Sequence, residues 1–424
     1  MKTGISAGKV GQAYEIAKEV YAKFGVSSDK AIKEALALPI SIHCWQGDDV
    51  TGFENSGPLS GGILATGNYP GRARNGDELR SDAEFAFSLV PGKKRFSLHS
   101  FYAETGGKKV SRDQLEPEHF AKWMAWSKKK KIPLDFNPSF FSHPMADSGY
   151  TLSSADPKIR KFWINHSKSC RRICSAFGVN QGSPAVDNIW IPDGSKDYPA
   201  DRLSPRQRLQ DALDEILAEK LPAGTITDAV ESKLFGIGSE ANVVGSHEFY
   251  MGYAVKKQIK LCLDMGHFHP TETIADKISA MLLFVPGLLI HFSRGLRWDS
   301  DHVVTFSDEM RDVCREIKRA GAANKIDFAL DYFDASINRI AAWTIGGRSL
   351  RKGLLEAYLE PTRLIVDAEK RGKNHERLAL MEECKTLPFS AVWDKLCLDA
   401  KVPISTEWLG NVGDYEAKVL SKRK

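Results

Sequence analysis

The sequence predicts an α/β fold, a (β/α)8 TIM barrel with helical extensions at its N- and C-terminal ends. Eight short apolar runs alternate with amphipathic segments, and this alternation is typical of a parallel sheet closed into a barrel. The last four runs end on or beside acidic or imidazole side chains, where such a barrel carries its active site. We therefore predict a helical extension over residues 1–38, a barrel domain that carries the site over 39–345, and a second helical extension over 346–424.

The first half of the chain opens with two helices and then begins the barrel. Apolar residues recur at helical spacing over 10–24 and 29–38, and Pro39 ends the second helix because proline has no amide hydrogen. Residues 47–82, rich in glycine and asparagine, are predicted to form a loop. The predicted strands of this half are 40–43, 95–101, 133–136 and 188–191, and its later helices are 118–130, 156–177 and 204–220.

The second half completes the barrel and continues into helices. Its predicted strands are 226–230, 259–263, 288–290 and 326–330, and the helices among them are 249–257, 271–283 and 308–320. The tail is predicted to form helices over 351–367, 374–385, 389–399 and 415–422. Because the tail has no strand pattern, we expect it to wrap the barrel or another subunit.

Composition and charge argue against several classes of protein. Hydrophobic residues at 42% and charged residues at 27% match an ordinary globular chain. The net charge of +5 is small for 424 residues, and no basic face with base-reading elements is found, so no nucleic-acid partner is predicted. No apolar run approaches the ~20 residues of a membrane span. Seven cysteines without a disulfide-like spacing, in a chain without a signal-peptide pattern, predict a cytoplasmic location.

Acidic side chains gather around the ends of the last four strands. Glu231, Asp264 and Asp331 end or follow three of these strands, and Asp299 and Asp301 lie two residues apart, so that in an extended segment both face one way. Five neighbouring carboxylates cannot all stay ionised unless cations compensate them. One divalent ion would leave roughly three negative charges and two would leave about one, which a nearby lysine can balance. Two metal ions are therefore predicted.

Two imidazoles stand among these carboxylates. His291 follows the seventh strand and His267 follows Asp264 by three residues. Oxygen-rich ligands with an imidazole favour Mn²⁺, with Co²⁺, Mg²⁺ or Zn²⁺ as alternatives, over thiolate zinc sites. Taken singly, each residue has an ordinary explanation, a solvated turn or a hydrogen-bonded loop histidine, so the prediction depends on the group. The predicted ligands are Glu231, Asp264, His267, His291, Asp299, Asp301 and Asp331.

Several runs of the sequence resemble bacterial L-rhamnose isomerase. The runs are VESKLFGIG at 230–238, DMGHFHPTE at 264–272, RWDSDHVV at 297–304, LDYFDASINR at 330–339 and IWIPDG at 189–194. The resemblance covers nearly the whole chain, and the order and number of the runs make it specific. It implies a metal-dependent aldose–ketose isomerase that interconverts L-rhamnose and L-rhamnulose in L-rhamnose catabolism, and it suggests a homotetramer.

The resemblance also implies how the ligands divide between the metals. The first metal is expected on Glu231, Asp264, His291 and Asp331, with Glu231 bridging. The second, more mobile metal is expected on His267, Asp299 and Asp301.

Five further residues are candidates for contact with a sugar. Lys233 could stabilise charge that develops on a carbonyl oxygen, or it could serve only as a balancing charge. His99 could assist opening of a cyclic sugar or bind its oxygens, or it could be an ordinary hydrogen-bonded histidine. Trp45, Trp190 and Phe333 could form an apolar wall against the C–H face of the sugar, although aromatic residues are more often part of a core.

The chemistry leaves alternatives open. Hydrogen could move between C2 and C1 as a hydride or through an enediol with a carboxylate base, and Asp331, Asp299 or a metal-bound water could carry the proton. A rival function is a metal-dependent phosphodiester hydrolase on a related barrel, which would need a third metal and a basic rim. A sugar-binding protein without catalysis is a further alternative, but binding alone does not require Lys233 beside two metals.

Overall fold

Eight parallel strands close into a barrel, which confirms the predicted fold. The computed structural model describes residues 6–54, 66–233, 241–297 and 299–423. Each strand pairs in parallel with the next along the chain, and the eighth pairs with the first. The strands are β1 (Ile40–His43), β2 (Lys94–His99), β3 (Leu134–Asn137), β4 (Ala185–Ile189), β5 (Ile226–Glu231), β6 (Lys260–Asp264), β7 (Leu288–Phe292) and β8 (Ile326–Leu330).

Three predicted strands have a wrong boundary. The prediction ended the seventh strand at residue 290, but β7 runs from Leu288 to Phe292, so His291 lies within the strand. The prediction placed β4 at 188–191, but the strand is Ala185–Ile189, so Trp190 follows the strand. All five residues of this strand are buried, but the acidic Asp187 at its centre interrupts the run of apolar residues by which a buried strand is recognised in a sequence. The prediction also extended β2 to residue 101, whereas the strand ends at His99 and a short 3-10 turn, Ser100–Tyr102, follows.

Fourteen α-helices lie within the described residues. They are α1 (Ala7–Lys23), α2 (Ser28–Ala37), α3 (Gly76–Leu89), α4 (Ala121–Lys130), α5 (Pro157–Gln181), α6 (Leu203–Leu217), α7 (His247–Lys257), α8 (Ala275–Met281), α9 (Asp308–Arg319), α10 (Arg339–Leu359), α11 (Thr362–Lys370), α12 (Asn374–Glu383), α13 (Phe389–Asp399) and α14 (Trp408–Lys418). None of them is long and apolar enough to cross a membrane.

Helix α3 corrects the prediction of a loop over residues 47–82. Asn75 caps the helix by accepting a hydrogen bond from the amide of Glu78, and acidic residues in its first turn favour the positive end of the helix dipole. Leu79 and Ala83 bury its apolar face in the main core. The start of helix α3 was not predicted because the glycines and asparagines before Asn75 are typical of a loop.

The prediction of a single helix over 351–367 is also wrong. Helix α10 begins twelve residues earlier, where the side chain of Asn338 caps it by accepting from the amide of Ala341. It ends at Leu359 because Pro361 restricts the backbone of the residue before it, and α11 then begins at Thr362. Since α10 runs unbroken through positions 345 and 346, the predicted boundary there falls within a helix. The three-part division remains a prediction.

The two helical extensions share a core of their own. Val10 and Tyr14 of α1, Ile32 of α2, Leu355 of α10 and Trp393 of α13 belong to one buried apolar cluster, separate from the main core. Burial of side chains of this size contributes about 1.5–3 kcal/mol each. The N- and C-terminal helices therefore hold each other against the outside of the barrel.

Side chains inside the barrel follow the two-residue repeat of the strands. Val186, Ala229, Cys262, Leu289 and Ala329, one from each of β4 to β8, form a small apolar cluster. Because side chains two apart on a strand share a face, the residues two positions further along point into the barrel at its C-terminal end. Those residues are Asn188, Glu231, Asp264, His291 and Asp331.

The N-terminal end of the barrel interior is occupied by ion pairs. Nη2 of Arg95 lies 2.7 Å from Oδ1 of Asp135, and Nζ of Lys260 lies 2.6 Å from Oδ2 of Asp327. A cavity of about 30 Å³, enough for a water molecule, extends from this end to Asn188 and His291.

Candidate metal centre

One imidazole nitrogen of His291 faces three carboxylates at the C-terminal end of the barrel. Its Nδ1 lies 2.9 Å from Oδ2 of Asp331, 3.1 Å from Oε1 of Glu231 and 3.6 Å from Oδ2 of Asp264. The strands enforce this arrangement, because Glu231 and Asp264 are the last residues of β5 and β6, and Asp264 pairs in register with His291. The predicted ligands of the first metal are therefore brought together.

The electrostatics of this group fit a cation. Burial opposes a charged imidazole, yet the carboxylates of Glu231 and Asp331 raise the pKa of His291 well above its ordinary value. Burial raises the pKa of Asp331. Among the described residues, Oδ2 of Asp264 and Oδ1 of Asp301 are buried without a hydrogen-bond partner. A buried carboxylate oxygen without a partner is costly, and a bound cation removes that cost.

His267 joins a second group with Asp264 and Asp301. Its Nδ1 lies 2.9 Å from the carbonyl oxygen of Ser232, so this nitrogen donates and Nε2 is left to bind a metal. Nε2 lies 3.9 Å from Oδ1 of Asp301. Burial lowers the pKa of His267, but Asp264, Glu231 and Asp301 outweigh that effect and raise it to about 9.

Asp301 lies on a short antiparallel hairpin, Arg294–Leu296 with Asp299–His302, that leaves the barrel after β7. Its backbone has a φ of 65°, which is left-handed and not extended. The prediction that Asp299 and Asp301 face one way assumed an extended segment, and this assumption does not hold at Asp301. The side chain of Asp299 lies outside the described part of the structure, as does Trp298, and its role as a ligand remains a prediction.

The bridging ligand also remains a prediction. Oε1 of Glu231 lies 3.1 Å from Nδ1 of His291 and 3.4 Å from Nδ1 of His267, which is compatible with its predicted position between the metals. Asp264, however, is the residue that belongs to both the His291 and the His267 groups. The geometry thus offers two carboxylates that could bridge.

Neutral polar groups hold these carboxylates in place, and the sequence did not point to them. Nδ2 of Asn188 donates to Oε2 of Glu231 over 2.6 Å. Oγ of Ser293 and the amide of Gly266 each donate to Oδ1 of Asp264 over 2.6 Å. A Cβ atom at Gly266 would lie 2.8 Å from Oγ of Ser293, so a larger residue there would displace the hydroxyl group that donates to Asp264. Residues that orient metal ligands in this way tune affinity and geometry.

Aromatic rings lie at the ends of the first four strands. Their centroids form a continuous chain: Trp45 to His99 at 4.8 Å, His99 to Phe101 at 5.4 Å, Phe101 to Phe141 at 5.5 Å and Phe141 to Trp190 at 6.2 Å. We call Trp45, His99, Phe101, Phe141 and Trp190 the aromatic cluster. Trp45 and Trp190 were predicted for such a wall, whereas Phe101 and Phe141 were missed.

Phe333, the third predicted wall residue, is half-buried just after β8. Its amide donates to the carbonyl oxygen of Asp301 over 3.2 Å. It therefore lies on the side of the barrel that carries the carboxylates.

His99 is held by a buried network. Its Nδ1 lies 3.0 Å from Oγ of Ser139, and Nη1 of Arg112 donates to the carbonyl oxygens of Ser139 and Phe141. Burial, assisted by the charge of Arg112, lowers the pKa of His99 to about 3, so its imidazole is neutral at ordinary pH. Nε2 of His166 accepts from the amide of Ser139, and Nδ1 of His166 donates to the carbonyl oxygen of Arg112.

Lys233 is buried two residues after β5. Its Nζ donates to the carbonyl oxygen of Pro192 over 2.7 Å, in the loop that follows β4. This contact places the lysine at the same end of the barrel as Glu231. Residues 234–240, which continue one of the runs quoted above, lie outside the described residues.

Comparison with known proteins gives matches over almost the whole chain. The model of the L-rhamnose isomerase (RhaA) family matches residues 8–423. The L-rhamnose isomerase of Rhodopirellula baltica (strain DSM 10527 / NCIMB 13988 / SH1) is 54% identical over 98% of this chain and 98% of its own length. That of Yersinia pseudotuberculosis serotype IB (strain PB1/+) is 56% identical over 97% of this chain and 99% of its own.

Solved structures add less. The structure of an L-ribulose 3-epimerase covers 75% of this chain and 95% of its own, with a TM-score of 0.47 and 12% identity. Similarity at that level carries no argument about function.

Proposed function

The chain belongs to the L-rhamnose isomerase family, and we propose that it interconverts L-rhamnose and L-rhamnulose at a centre of two divalent cations. The observation that carries this proposal is the convergence of Glu231, Asp264 and Asp331 on Nδ1 of His291. A small sugar is the substrate of such an enzyme. The phosphodiester hydrolase alternative is not favoured, because the family match and the named relatives are isomerases.

The metal centre would be held by seven side chains, as the sequence predicts. Glu231, Asp264, His291 and Asp331 hold the first cation, and His267, Asp301 and Asp299 hold the second. Mn²⁺ suits these oxygen and imidazole ligands best, with Co²⁺, Mg²⁺ or Zn²⁺ as alternatives. When bound, two divalent cations supply Lewis-acid polarisation of the sugar oxygens at C1 and C2.

The side chains around the centre have separate tasks in this proposal. The ammonium of Lys233 stabilises negative charge on the terminal oxygen of the sugar. The neutral imidazole of His99 forms a hydrogen bond with the ring oxygen or with a hydroxyl group of the sugar while the ring opens. Asp331 and Asp299 are the carboxylates that could hold the mobile proton.

The aromatic cluster gives the substrate an apolar side. The rings of Trp190 and Phe141 meet edge to face beyond the ends of β4 and β3. Phe333 follows β8, on the opposite side of the barrel. A 6-deoxyhexose carries a methyl group in place of a hydroxymethyl group. An apolar surface at that end of the sugar therefore leaves no hydroxyl group without a hydrogen bond. Such a surface also excludes water from the reacting carbons.

Two further properties belong to the proposal. The homotetramer that the family resemblance implies can be tested by sedimentation equilibrium. A cytoplasmic location is supported by the seven cysteines, all of which are free thiols.

An assay of several aldoses tests the function. The purified protein, loaded with Mn²⁺, is incubated with L-rhamnose and with a panel of other aldoses, and ketose is measured. We expect L-rhamnose to give L-rhamnulose, chelated protein to give none, and Asp308→Asn, an exposed carboxylate on α9, to behave as the unmodified chain. If the Mn²⁺-loaded protein forms no ketose from any of these aldoses, the proposal is overturned.

A label at C2 separates the two routes of hydrogen transfer. Deuterium that moves from C2 of the aldose to C1 of the ketose marks a hydride shift. Exchange of that deuterium with solvent marks an enediol.

A further inference from the structure

Cys262 lies directly beside the metal ligands on the inside of the barrel. It precedes Asp264 by two residues on β6, and it pairs in register with Glu231 of β5. Its side chain is 1% exposed and packs in the apolar cluster between Ala229 and Leu289. The thiol therefore sits one layer deeper in the barrel than the carboxylate of Asp264.

Cys262 forms a group of its own with two of the ligands. One ligand atom from each of Glu231, Cys262 and His291 lies within 4.8 Å of the other two. The described residues contain three such groups of possible metal ligands, and this group alone among them includes a thiol. Oδ2 of Asp264, buried and without a hydrogen-bond partner among those residues, shows that this region favours a cation.

We propose that Cys262 gives the centre a second mode of cation binding, selective for thiophilic ions such as Cd²⁺. In this mode the ion is bound by Glu231, His291 and the sulfur of Cys262, and the thiol proton is released to solvent. The inference rests on the metal centre of the proposed function. Soft thiolate ligands select ions of this class, whereas Mn²⁺ and Mg²⁺ prefer oxygen.

The two modes share Glu231 and His291, and they exclude each other at His291, because an imidazole nitrogen has one lone pair and binds one ion at a time. A hard ion uses these two side chains together with the carboxylates of Asp264 and Asp331. A thiophilic ion that recruits the sulfur takes both shared ligands, so it displaces the first hard ion. Thiophilic ions should therefore inhibit the enzyme by displacing the first metal ion from its ligands inside the barrel.

Titration of the Mn²⁺-loaded protein with CdCl₂ tests this mode. A thiolate bound to Cd²⁺ absorbs in the ultraviolet by charge transfer, and released Mn²⁺ is measured by its electron paramagnetic resonance signal. We expect the absorption band to grow in proportion to the released Mn²⁺ and to saturate together with it.

Variants assign the band to one thiol. Cys262→Ala and Cys262→Ser should lack the band, and about tenfold more Cd²⁺ should be needed to release the same Mn²⁺. Cys314→Ala is the matched control, because Cys314 is an equally buried thiol on α9, away from the centre, and its variant should keep the band.

Each outcome decides the question. Release of Mn²⁺ by Cd²⁺ without the band, or a band that persists in Cys262→Ala, overturns the proposal. Should the variants fold poorly, the ¹¹³Cd resonance of the unmodified protein decides instead, since one thiolate ligand shifts it clear of sites made only of oxygen and nitrogen. A chain that binds no Mn²⁺ at all would overturn the metal centre itself, which is a different result.

Discussion

The side-chain amide of Asn188 on β4 donates a 2.6 Å hydrogen bond to Oε2 of Glu231 on β5. This contact leaves Oε1 of Glu231 directed at the two histidines of the centre, 3.1 Å from His291 and 3.4 Å from His267. The orientation of the carboxylate is thus fixed from the neighbouring strand before any cation binds.

Replacing Asn188 with leucine should weaken metal binding. Leucine has a similar volume but no donor, so Glu231 loses the bond that orients it, and the affinity for Mn²⁺ should fall by about 10–100-fold. Isothermal titration of the chelated protein with Mn²⁺ measures the change. Asn137→Leu is the control, because Asn137 is also buried inside the barrel but bonds Ser97 and Leu98. Equal Mn²⁺ affinity in Asn188→Leu and the unmodified chain would contradict this role.

Chelation should lower the melting temperature, and Mn²⁺ should restore it. Without cations the carboxylates of Glu231, Asp264 and Asp331 repel one another, while a bound ion stabilises the fold by about 2.7 kcal/mol at a hundredfold excess over its dissociation constant. Calorimetry with and without Mn²⁺ tests this. A melting temperature that does not move after verified metal removal would count against the centre.

Asp301→Asn and His291→Ala should affect different ions. Asp301 belongs to the His267 group, so its variant should lose the second ion and turnover while one Mn²⁺ per chain stays bound. His291→Ala removes the nitrogen that faces three carboxylates, so the first ion should be lost and substrate should bind less tightly. Metal content and kcat are measured on each variant. Unchanged metal content in both would show that the ligand assignment is wrong.

Lys233→Met should reduce kcat far more than it reduces binding of a sugar alcohol. Methionine keeps much of the stem but removes the donor, and loss of one donor to a developing oxyanion costs roughly 10²–10³-fold in rate. A sugar alcohol never develops that charge, so its dissociation constant should change little. Equal losses in rate and binding would make Lys233 a positioning or charge-balancing residue.

His166 should make the fold sensitive to acid. Burial lowers its pKa to about 3, below the ordinary value of 6.5. The unfolded chain therefore binds a proton that the folded chain does not between these values. The stabilising effect is complete above pH ~6.5 and is lost as the pH falls toward 3, by about 1.4 kcal/mol per pH unit. His166→Gln should flatten the fall of melting temperature between pH 6 and 4, whereas exposed His375→Gln should leave it unchanged. Identical slopes for all three proteins would contradict this linkage.

The sequence could predict the barrel and the convergence of charged side chains at its C-terminal end, because both leave a local pattern. The middle of β6, residues 261–263, is an apolar run, and Asp264 ends the strand, so its position at the C-terminal end of the barrel follows from the fold class. Charge counting then predicts cations without any knowledge of distances.

The supporting residues left no such pattern. Asn188 lies inside a strand and Ser293 just after one, and a neutral polar residue in either position has many ordinary explanations. Phe101 and Phe141 meet only because β2 and β3 are neighbours in the barrel, which brings together rings forty positions apart. Helix α3 was missed because its cap follows a stretch whose composition is that of a loop.

The charged side chains of the candidate metal centre and the aromatic cluster come from different strands of the barrel. The charged side chains of the candidate metal centre come from β5 to β8 and from the loops that follow them, while the aromatic cluster comes from the ends of β1 to β4. Substitutions at Phe141 or Trp190 would therefore change the proposed sugar-binding surface without altering a proposed metal ligand. An enzyme built in this way can acquire new substrates by mutation in one half of its sequence while natural selection preserves the reaction in the other.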